Sequence, residues 1–559
     1  MSASSTTREL VGQILKGQGL IGEGQIQEAL GAQRKHGGLI GQHLVALGSL
    51  QPDQLNIALA KQAGLDAVDL SAQKPTDEAI ERLDSGTAHA FSVLPLRMEG
   101  DTLIVAIADP MNVAVLEDLR FTTGGDVRGV LGDGETLRKL VTEYYGEQAS
   151  LKDAIADAAR AAGEESPEEA AASAPVVRLL NSILHRAIRD RASDIHFEVF
   201  PGELRIRYRV DGSLYEIEAP PAHLAGALLA RIKIMSELDI AETKLPQDGR
   251  IALAIDGRPV DLRVATLPGI AGEGAVLRIL DRSAVSLELT SLGLETRDAA
   301  DIRDLCKLPH GIVLVTGPTG SGKTTTLYAI LSEINDPGTK IVTVEDPVEY
   351  DIDGLVQVPI NEDIGVGYSQ VLRTVLRQDP DKILIGEIRD EDTAGTAVEA
   401  SLTGHTVFAT VHTNDAPSAV TRMVDMGVEP FLITATLEAV IAQRLVRSVC
   451  PSCKDSYEPD EDLLRELGAD SKELKGARLP FGKGCAECFH TGYRGRTAIY
   501  EIMKMDRSLR EAIGALASTA ELRRLAISAG MRTLRQAGIQ RVLDGKTTIE
   551  EVIRETMGH

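Results

Sequence analysis

A chain built from several α/β domains is what this sequence predicts, and three features carry the expectation. Its 559 residues leave room for three or four domains, each burying its own core. Apolar runs such as "GIVLVTG", "KIVTVEDP", "DKILIGEIRD" and "GHTVFATVHT" alternate with helical stretches, the sign of a parallel sheet. Between the first of these runs and the helical stretch "TTTLYAILSEI" lies "GPTGSGKT", a glycine-rich turn in the strand–loop–helix setting that cradles phosphates.

The N-terminal segment, 1–72, contains a repeat. "LVGQILKGQGLIGEGQIQEALGAQ" (10–33) matches "LIGQHLVALGSLQPDQLNIALAKQ" (39–62), pairing Gly12 with Gly41, Gly19 with Gly48, Ile26 with Leu55 and Leu30 with Leu59. Each copy reads as a short helix, a glycine-marked turn and a second helix with apolar residues at i and i+4. Residues 73–148 mix β-like runs such as "DTLIVAIAD" with helical stretches, the mark of a small α/β module. Residues 149–174, around "AAGEESPEEAAASAP", carry too few apolar residues to build a core and read as a flexible Ala/Glu-rich linker with some helix. From "VVRLLNSILHRAIRD" to "VATL" and beyond, 175–282 reads as a second α/β domain. Residues 283–559 form the phosphate-binding domain.

Composition narrows the function classes. A net charge of −24 argues against a general nucleic-acid binder, which needs a basic face. No apolar run approaches the roughly 18 residues that span a bilayer, and "MSASSTTREL" lacks the apolar centre of a signal peptide, so a cytosolic protein is expected. Five cysteines are too few for a secreted disulfide scaffold.

The phosphate loop comprises Gly317, Pro318, Thr319, Gly320, Ser321, Gly322, Lys323, Thr324 and Thr325. Its glycines let backbone N–H groups converge on phosphate oxygens. Lys323 is expected to reach the β- and γ-phosphates and Thr324 to ligate Mg²⁺. Hydrolysis also needs a group that places the attacking water. Strand ends offer Glu387 in "GEIRD" and Glu345, Asp346 and Glu349 in "VTVEDPVEY", and residue chemistry alone does not choose among them. His405 and His412 flank the apolar run "TVFATV", where a histidine can sense a γ-phosphate.

Two C-x-x-C pairs, Cys450/Cys453 and Cys485/Cys488, stand 31 residues apart. Four thiolates in this spacing predict a closed, structural zinc site. Cys306 reads as a core residue.

Taken together, "SDIHFE", "RYRVDG", "LPQDGRI", the phosphate loop, "VTVEDPVE", "LRQDPDKILIGEIRDEDTA", "GHTVFATVHTNDA", "QRLVRSVCP" and "GYRGRTAIYE" resemble the ATPases of type II secretion and type IV pilus assembly, the GspE/PilB group. The resemblance implies a RecA-like ATPase domain with a Cys₄ zinc insertion at about 445–500, preceded by a PAS-like domain over 175–282. It implies ATP, Mg²⁺ and Zn²⁺ as cofactors. It assigns water polarisation to Glu349, a role around Mg²⁺ to Glu387 and the family's histidine to His412. Members form homohexamers in which arginines complete the neighbouring site; Arg209, Arg263 and Arg278 fall in the matching stretches. The implied partners are an inner-membrane platform protein and cytoplasmic docking proteins, with peripheral recruitment to the inner membrane. The expected motion swings 175–282 against 283–559 across the connection near Leu287–Leu294. The alternative is a DNA-directed hexameric translocase, which the charge balance disfavours.

The N-terminal repeat resembles the tandem motif of the MshEN domain, which binds cyclic di-GMP in some of these ATPases. The arginine that opens each motif is replaced by Leu10 and Leu39. The expectation is therefore a protein-docking module with at most feeble affinity for cyclic di-GMP.

Overall fold

The protein was examined as a computed structural model, which describes residues 11–36, 40–63, 65–70, 73–83, 87–88, 91–108, 114–123, 125–145, 151–161, 167–255, 258–281, 288–460, 463, 474 and 476–557. The chain divides into two compact units, Met1–Ala284 and Val285–His559. No helix among the described residues is long and apolar enough to cross a membrane.

The repeat folds as its pattern predicts. Helices α1 (Val11–Gly17) and α2 (Glu23–His36) form one copy, α3 (Ile40–Ala46) and α4 (Pro52–Ala63) the other. Gly19 and Gly48 end the short helices at φ 70° and 69°, where glycine carries no Cβ penalty. The paired Gly12 and Gly41 have a packing role as well. A Cβ on Gly41 would meet Leu55 at 2.6 Å, and one on Gly12 would touch Ile26 at 3.9 Å. Leu10 and Leu39 lie outside the described residues.

Next comes a four-stranded sheet in the order β1-β4-β3-β2, from β1 (Asp66–Ala67), β2 (Val93–Glu99), β3 (Thr102–Ile107) and β4 (Asp126–Leu131). Its helices cover a core centred on Leu94, Ile104, Leu119 and Leu131.

Within the stretch read as a flexible linker, the described residues 151–161 and 167–172 are helical and packed. Helices α5 (Leu151–Ala161) and α6 (Pro167–Ala172) place Ala154, Ala158 and Ala170 in the same core as α7 (Ala174–Arg189). Leu151, Ala154, Ile155, Ala158 and Ala159 recur at helical spacing, so the amphipathic stripe existed but was built mostly of alanine. Small side chains let helices approach closely, and average composition conceals that stripe.

The core beneath these helices belongs to a six-stranded antiparallel sheet, β7-β6-β5-β10-β9-β8. Its strands are β5 (Asp194–Phe200), β6 (Glu203–Val210), β7 (Ser213–Ile217), β8 (Gln247–Ile255), β9 (Arg258–Gly269) and β10 (Gly272–Asp281). Helix α8 (Ala225–Met235) joins α7 on one face. Alternation sends Ile195, Phe197, Tyr208, Leu262 and Leu277 into that core and their sequence neighbours to the other face.

The second unit is built on a seven-stranded sheet in the order β13-β12-β14-β15-β11-β16-β19. Its strands are β11 (Gly311–Thr316), β12 (Ile341–Glu345), β13 (Val356–Pro359), β14 (Lys382–Ile385), β15 (Thr406–Val411), β16 (Leu437–Val449) and β19 (Tyr493–Lys504). All pair in parallel except β19, as the alternation of strands and helices predicts. Between β16 and β19 stands a small ribbon, β17 (Lys454–Tyr457) with β18 (Leu479–Gly482). The connection expected to act as a pivot is partly built into this unit. Leu289 is 1 % exposed in its core, and the Gly293 carbonyl accepts a hydrogen bond from Arg541.

Candidate active site

β11 ends at Thr316, and the chain turns through Gly317–Gly322 into helix α9 (Lys323–Ile334). Gly317, Gly320 and Gly322 adopt φ of 148°, 78° and 88°, a region glycine enters freely. Two of them also lie against the neighbouring strand. A Cβ on Gly317 would sit 2.5 Å from the Gln443 carbonyl oxygen, and one on Gly322 would sit 2.8 Å from Gln443 Nε2. The loop thus rests on β16 and turns Pro318, Thr319, Gly320 and Thr324 outward, with Thr325 half-buried. The buried Ser321 hydroxyl has no hydrogen-bond partner among the described residues. Lys323 Nζ donates to the Gly317 and Pro318 carbonyls at 2.9 and 3.1 Å. Burial holds this ammonium below the usual lysine range, while the Glu387 carboxylate opposes the shift. Convergent loop amides, an orphaned hydroxyl and a half-buried cation fit a polyphosphate with its metal.

Moving outward from β11, the sheet presents β15, then β14, then β12, in steps of about 4.8 Å. Each carries a polar group at its carboxyl end. His412 follows β15 directly, Glu387 lies two residues past β14, and Glu349 lies four past β12. His412 Nε2 is 3.0 Å from Glu387 Oε1, and Arg389 Nε donates to Glu387 Oε2 at 2.7 Å. His405 precedes β15 and so sits at the opposite edge, its Nδ1 2.9 Å from the Ala400 carbonyl. Only one of the two histidines reaches the loop's side of the sheet. Among the "VEDPVE" carboxylates, Glu345 is 3 % exposed, Asp346 is exposed and Glu349 is half-buried.

Sequence reasoning quoted "QRLVRSVCP" without giving Gln443 or Arg444 a role. Gln443 Oε1 accepts from Thr326 at 2.8 Å, so it braces both the loop and its helix. Buried Arg444 donates to the Asn414 carbonyl at 2.7 Å. Thr316 and Thr413 share a 2.7 Å hydroxyl contact, and the Thr413 N–H donates to Thr316 Oγ1 at 2.9 Å. These bonds tie the phosphate loop's strand to the segment carrying His412. The run of polar residues after "VFATV" was the available signal.

The four cysteines converge. Sulfur separations are 3.9 Å for Cys450–Cys485, 3.8 Å for Cys453–Cys488 and 3.7 Å for Cys485–Cys488. Thiolates placed tetrahedrally at about 2.3 Å from zinc lie about 3.8 Å apart, so the cluster fits that ion. Burial would raise the Cys488 thiol, yet the N–H groups of Cys485 and Gly492 point at its sulfur and bring it down to about 6. The cluster rests beside β17–β18, whose Leu479 packs on Ile539, Val542, Ile549 and Val552.

In the first unit, one cross-strand row brings together Arg209, Asp194, Arg278, Arg263 and Arg250, from β6, β5, β10, β9 and β8 in turn. They occupy the face opposite the core. Arg278 Nε donates to Asp194 Oδ1 at 3.0 Å, and Arg209 Nε lies 3.8 Å from Oδ2. Arg250 was absent from the sequence candidates. Its register only becomes visible once β8 is paired.

A phosphate loop at the carboxyl edge of a parallel sheet, with histidine and carboxylates on the next strands, defines a P-loop NTPase. The sequence profile of the type II/IV secretion system protein family matches residues 169–554. The type IV pilus assembly ATPase PilB of Myxococcus xanthus is 42% identical over 557 residues, covering 98% of each chain. Type II secretion system protein E of Pseudomonas aeruginosa is 50% identical over 383 residues, covering 68% of this chain and 76% of the relative. Its Aeromonas hydrophila counterpart is 44% identical over 86% of this chain and 97% of its own. The Legionella pneumophila ATPase DotB shares the fold, with a TM-score of 0.51 at 20% identity over 68% of this chain and 95% of its own. This chain belongs to the type II/IV secretion system protein family and is an ATP-hydrolysing enzyme. The relatives are secretion and pilus motors, not DNA translocases. The MshEN domain profile matches residues 63–151, on the four-stranded sheet module and not on the helical repeat at 10–62 to which sequence reading assigned that likeness.

Proposed function

We propose that the protein is the ATP-driven motor that extends a type IV pilus through an inner-membrane platform protein, type II secretion being the neighbouring reading. The single observation behind the choice is the end-to-end match with a pilus assembly ATPase, 98% of both chains. Lys323 and the loop amides hold the β- and γ-phosphates, and Thr324 would hold a Mg²⁺ ion that would supply neutralisation of phosphate charge. Glu387 acts around the metal, His412 senses the γ-phosphate through its contact with Glu387, and Glu349 polarises the attacking water. Zinc at Cys450, Cys453, Cys485 and Cys488 is structural, because four thiolates leave no open position. The working form is a homohexamer recruited to the cytoplasmic face of the inner membrane. In it Arg209, Arg263 and Arg278 approach the neighbouring subunit's nucleotide. The helical repeat docks a protein partner and binds cyclic di-GMP at most feebly.

The experiment compares ATPase rates of the full chain alone, with duplex DNA and with the cytoplasmic fragment of a pilus platform protein. Stimulation by the platform fragment alone is the expected result. Stimulation only by a secretion-system platform moves the assignment to secretion, and stimulation by DNA overturns it.

A further inference from the structure

Glu345 ends the apolar strand β12 at the carboxyl edge of the sheet, where a catalytic carboxylate belongs, yet both its oxygens are occupied. Oε2 accepts the hydroxyl of Tyr328, and Oε1 accepts Gln357 Nε2 at 3.2 Å as well as the Thr343 hydroxyl. Each of these two larger partners reaches onward to the same loop. The Tyr328 oxygen accepts the Glu349 N–H at 3.2 Å. Gln357 Nε2 donates to the Tyr350 carbonyl at 2.9 Å, and its Oε1 accepts the Ile352 N–H at 2.7 Å. The Tyr328 and Tyr350 rings meet edge to face at 5.9 Å. Three backbone groups of 349–352 are therefore satisfied by two side chains that converge on one buried carboxylate. Burial, and then the Glu345 charge, push the Tyr328 hydroxyl far above the usual phenol range, so it remains a donor.

Tyr328 lies on α9, the helix that opens with Lys323. One phenol oxygen thus joins the phosphate-binding helix to the backbone of Glu349. We infer that Glu345, Tyr328 and Gln357 form a positioning unit that sets Glu349 relative to the phosphate loop. Glu345 itself does not touch the water. The inference rests on the reading of Glu349 as the water-polarising group. A carboxylate that is 3 % exposed and accepts three donors is shut away from an attacking water, and it holds those donors firmly.

The test uses the full chain with Mg·ATP, reading kcat, nucleotide affinity and melting temperature. Tyr328→Phe is expected to lower kcat about 10-fold, the scale of a small misplacement of a catalytic group, with nucleotide affinity unchanged. Glu345→Gln should lower kcat with nucleotide affinity unchanged, because an amide oxygen holds the Tyr328 and Gln357 donors less firmly than a carboxylate. The double variant Tyr328→Phe/Glu349→Gln should be no slower than Glu349→Gln alone, since tyrosine acts through the glutamate. Gln357→Met approaches the loop from the other side and must repeat the loss; if Tyr328→Phe does not fold, this variant decides.

The inference is overturned if Tyr328→Phe, Gln357→Met and Glu345→Gln all keep wild-type kcat while Glu349→Gln is inactive. Multiplying defects in the double variant overturn it too. A fully active Glu349→Gln beside an inactive Glu345→Gln removes instead the reading of Glu349 on which the inference stands.

Discussion

The nucleotide edge of the second unit and the arginine row of the first are both charged sites, but they are assembled in opposite ways. At the nucleotide edge, nine consecutive residues make the loop, and the remaining groups stand within four residues of a strand end. In the arginine row, five residues spread from 194 to 278 meet only through the register of five strands. A loop whose glycines adopt left-handed angles is specified locally. A row whose members are strand neighbours of buried residues is specified by what lies on the other face. Local assembly makes a site legible in the sequence, whereas cross-strand assembly shows only once the strands are paired.

The sharpest way to separate the two is to damage each. Lys323→Ala should abolish turnover with the melting temperature kept, because the loop uses this charge for phosphate and not for packing. A turnover rate near wild type would remove the loop from the chemistry. Arg278→Ala should cost up to about 10³ in kcat, the lower range for arginines supplied in trans, while leaving ATP binding to isolated subunits intact. Mixing Arg278→Ala with Lys323→Ala subunits should restore part of the activity. If mixtures stay inactive and specific activity is independent of protein concentration, the row acts within its own chain or not at all.

A third site extends the comparison, since the cysteine cluster is local in its two knuckles and non-local in their meeting. The purified protein should carry one zinc per chain, and Cys450→Ser should lose it and lower the melting temperature of the ribbon and the helices it covers. Elemental analysis finding no stoichiometric metal in reductively purified protein would sink this assignment. The smallest effect is expected at the N-terminus. Titration calorimetry on the full chain should detect no submicromolar cyclic di-GMP binding; stoichiometric tight binding would mean that the leucines at 10 and 39 were weighted too heavily against the MshEN match at 63–151.

Where reading the chain succeeded and failed follows the same division. The repeat was legible because Gly19 and Gly48 mark turns and their copies confirm each other. The phosphate loop and both cysteine knuckles were legible because fixed spacing over a few residues is itself the chemistry. Residues 151–172 were misread because helix α5 buries alanines, whose apolar stripe is weak until α7 is placed beside it. His405 and His412 looked equivalent as flanks of one apolar run, and strand direction separates them by the height of the sheet.

By itself, then, the sequence determined an ATP-hydrolysing enzyme of this family, a phosphate loop with its lysine and threonine in fixed spacing, and four thiolates that can share a metal. Short segments with special backbone angles or fixed ligand spacing carry that information without help from distant residues. Tertiary structure alone decided that Glu345 is enclosed while Glu349 is not, that Gln443 supports the loop from β16, and that Arg250 joins the row on β6, β5, β10 and β9. Those outcomes depend on strand order, register and burial. They are sums over contacts between segments far apart in the chain, and no local pattern of side chains encodes them.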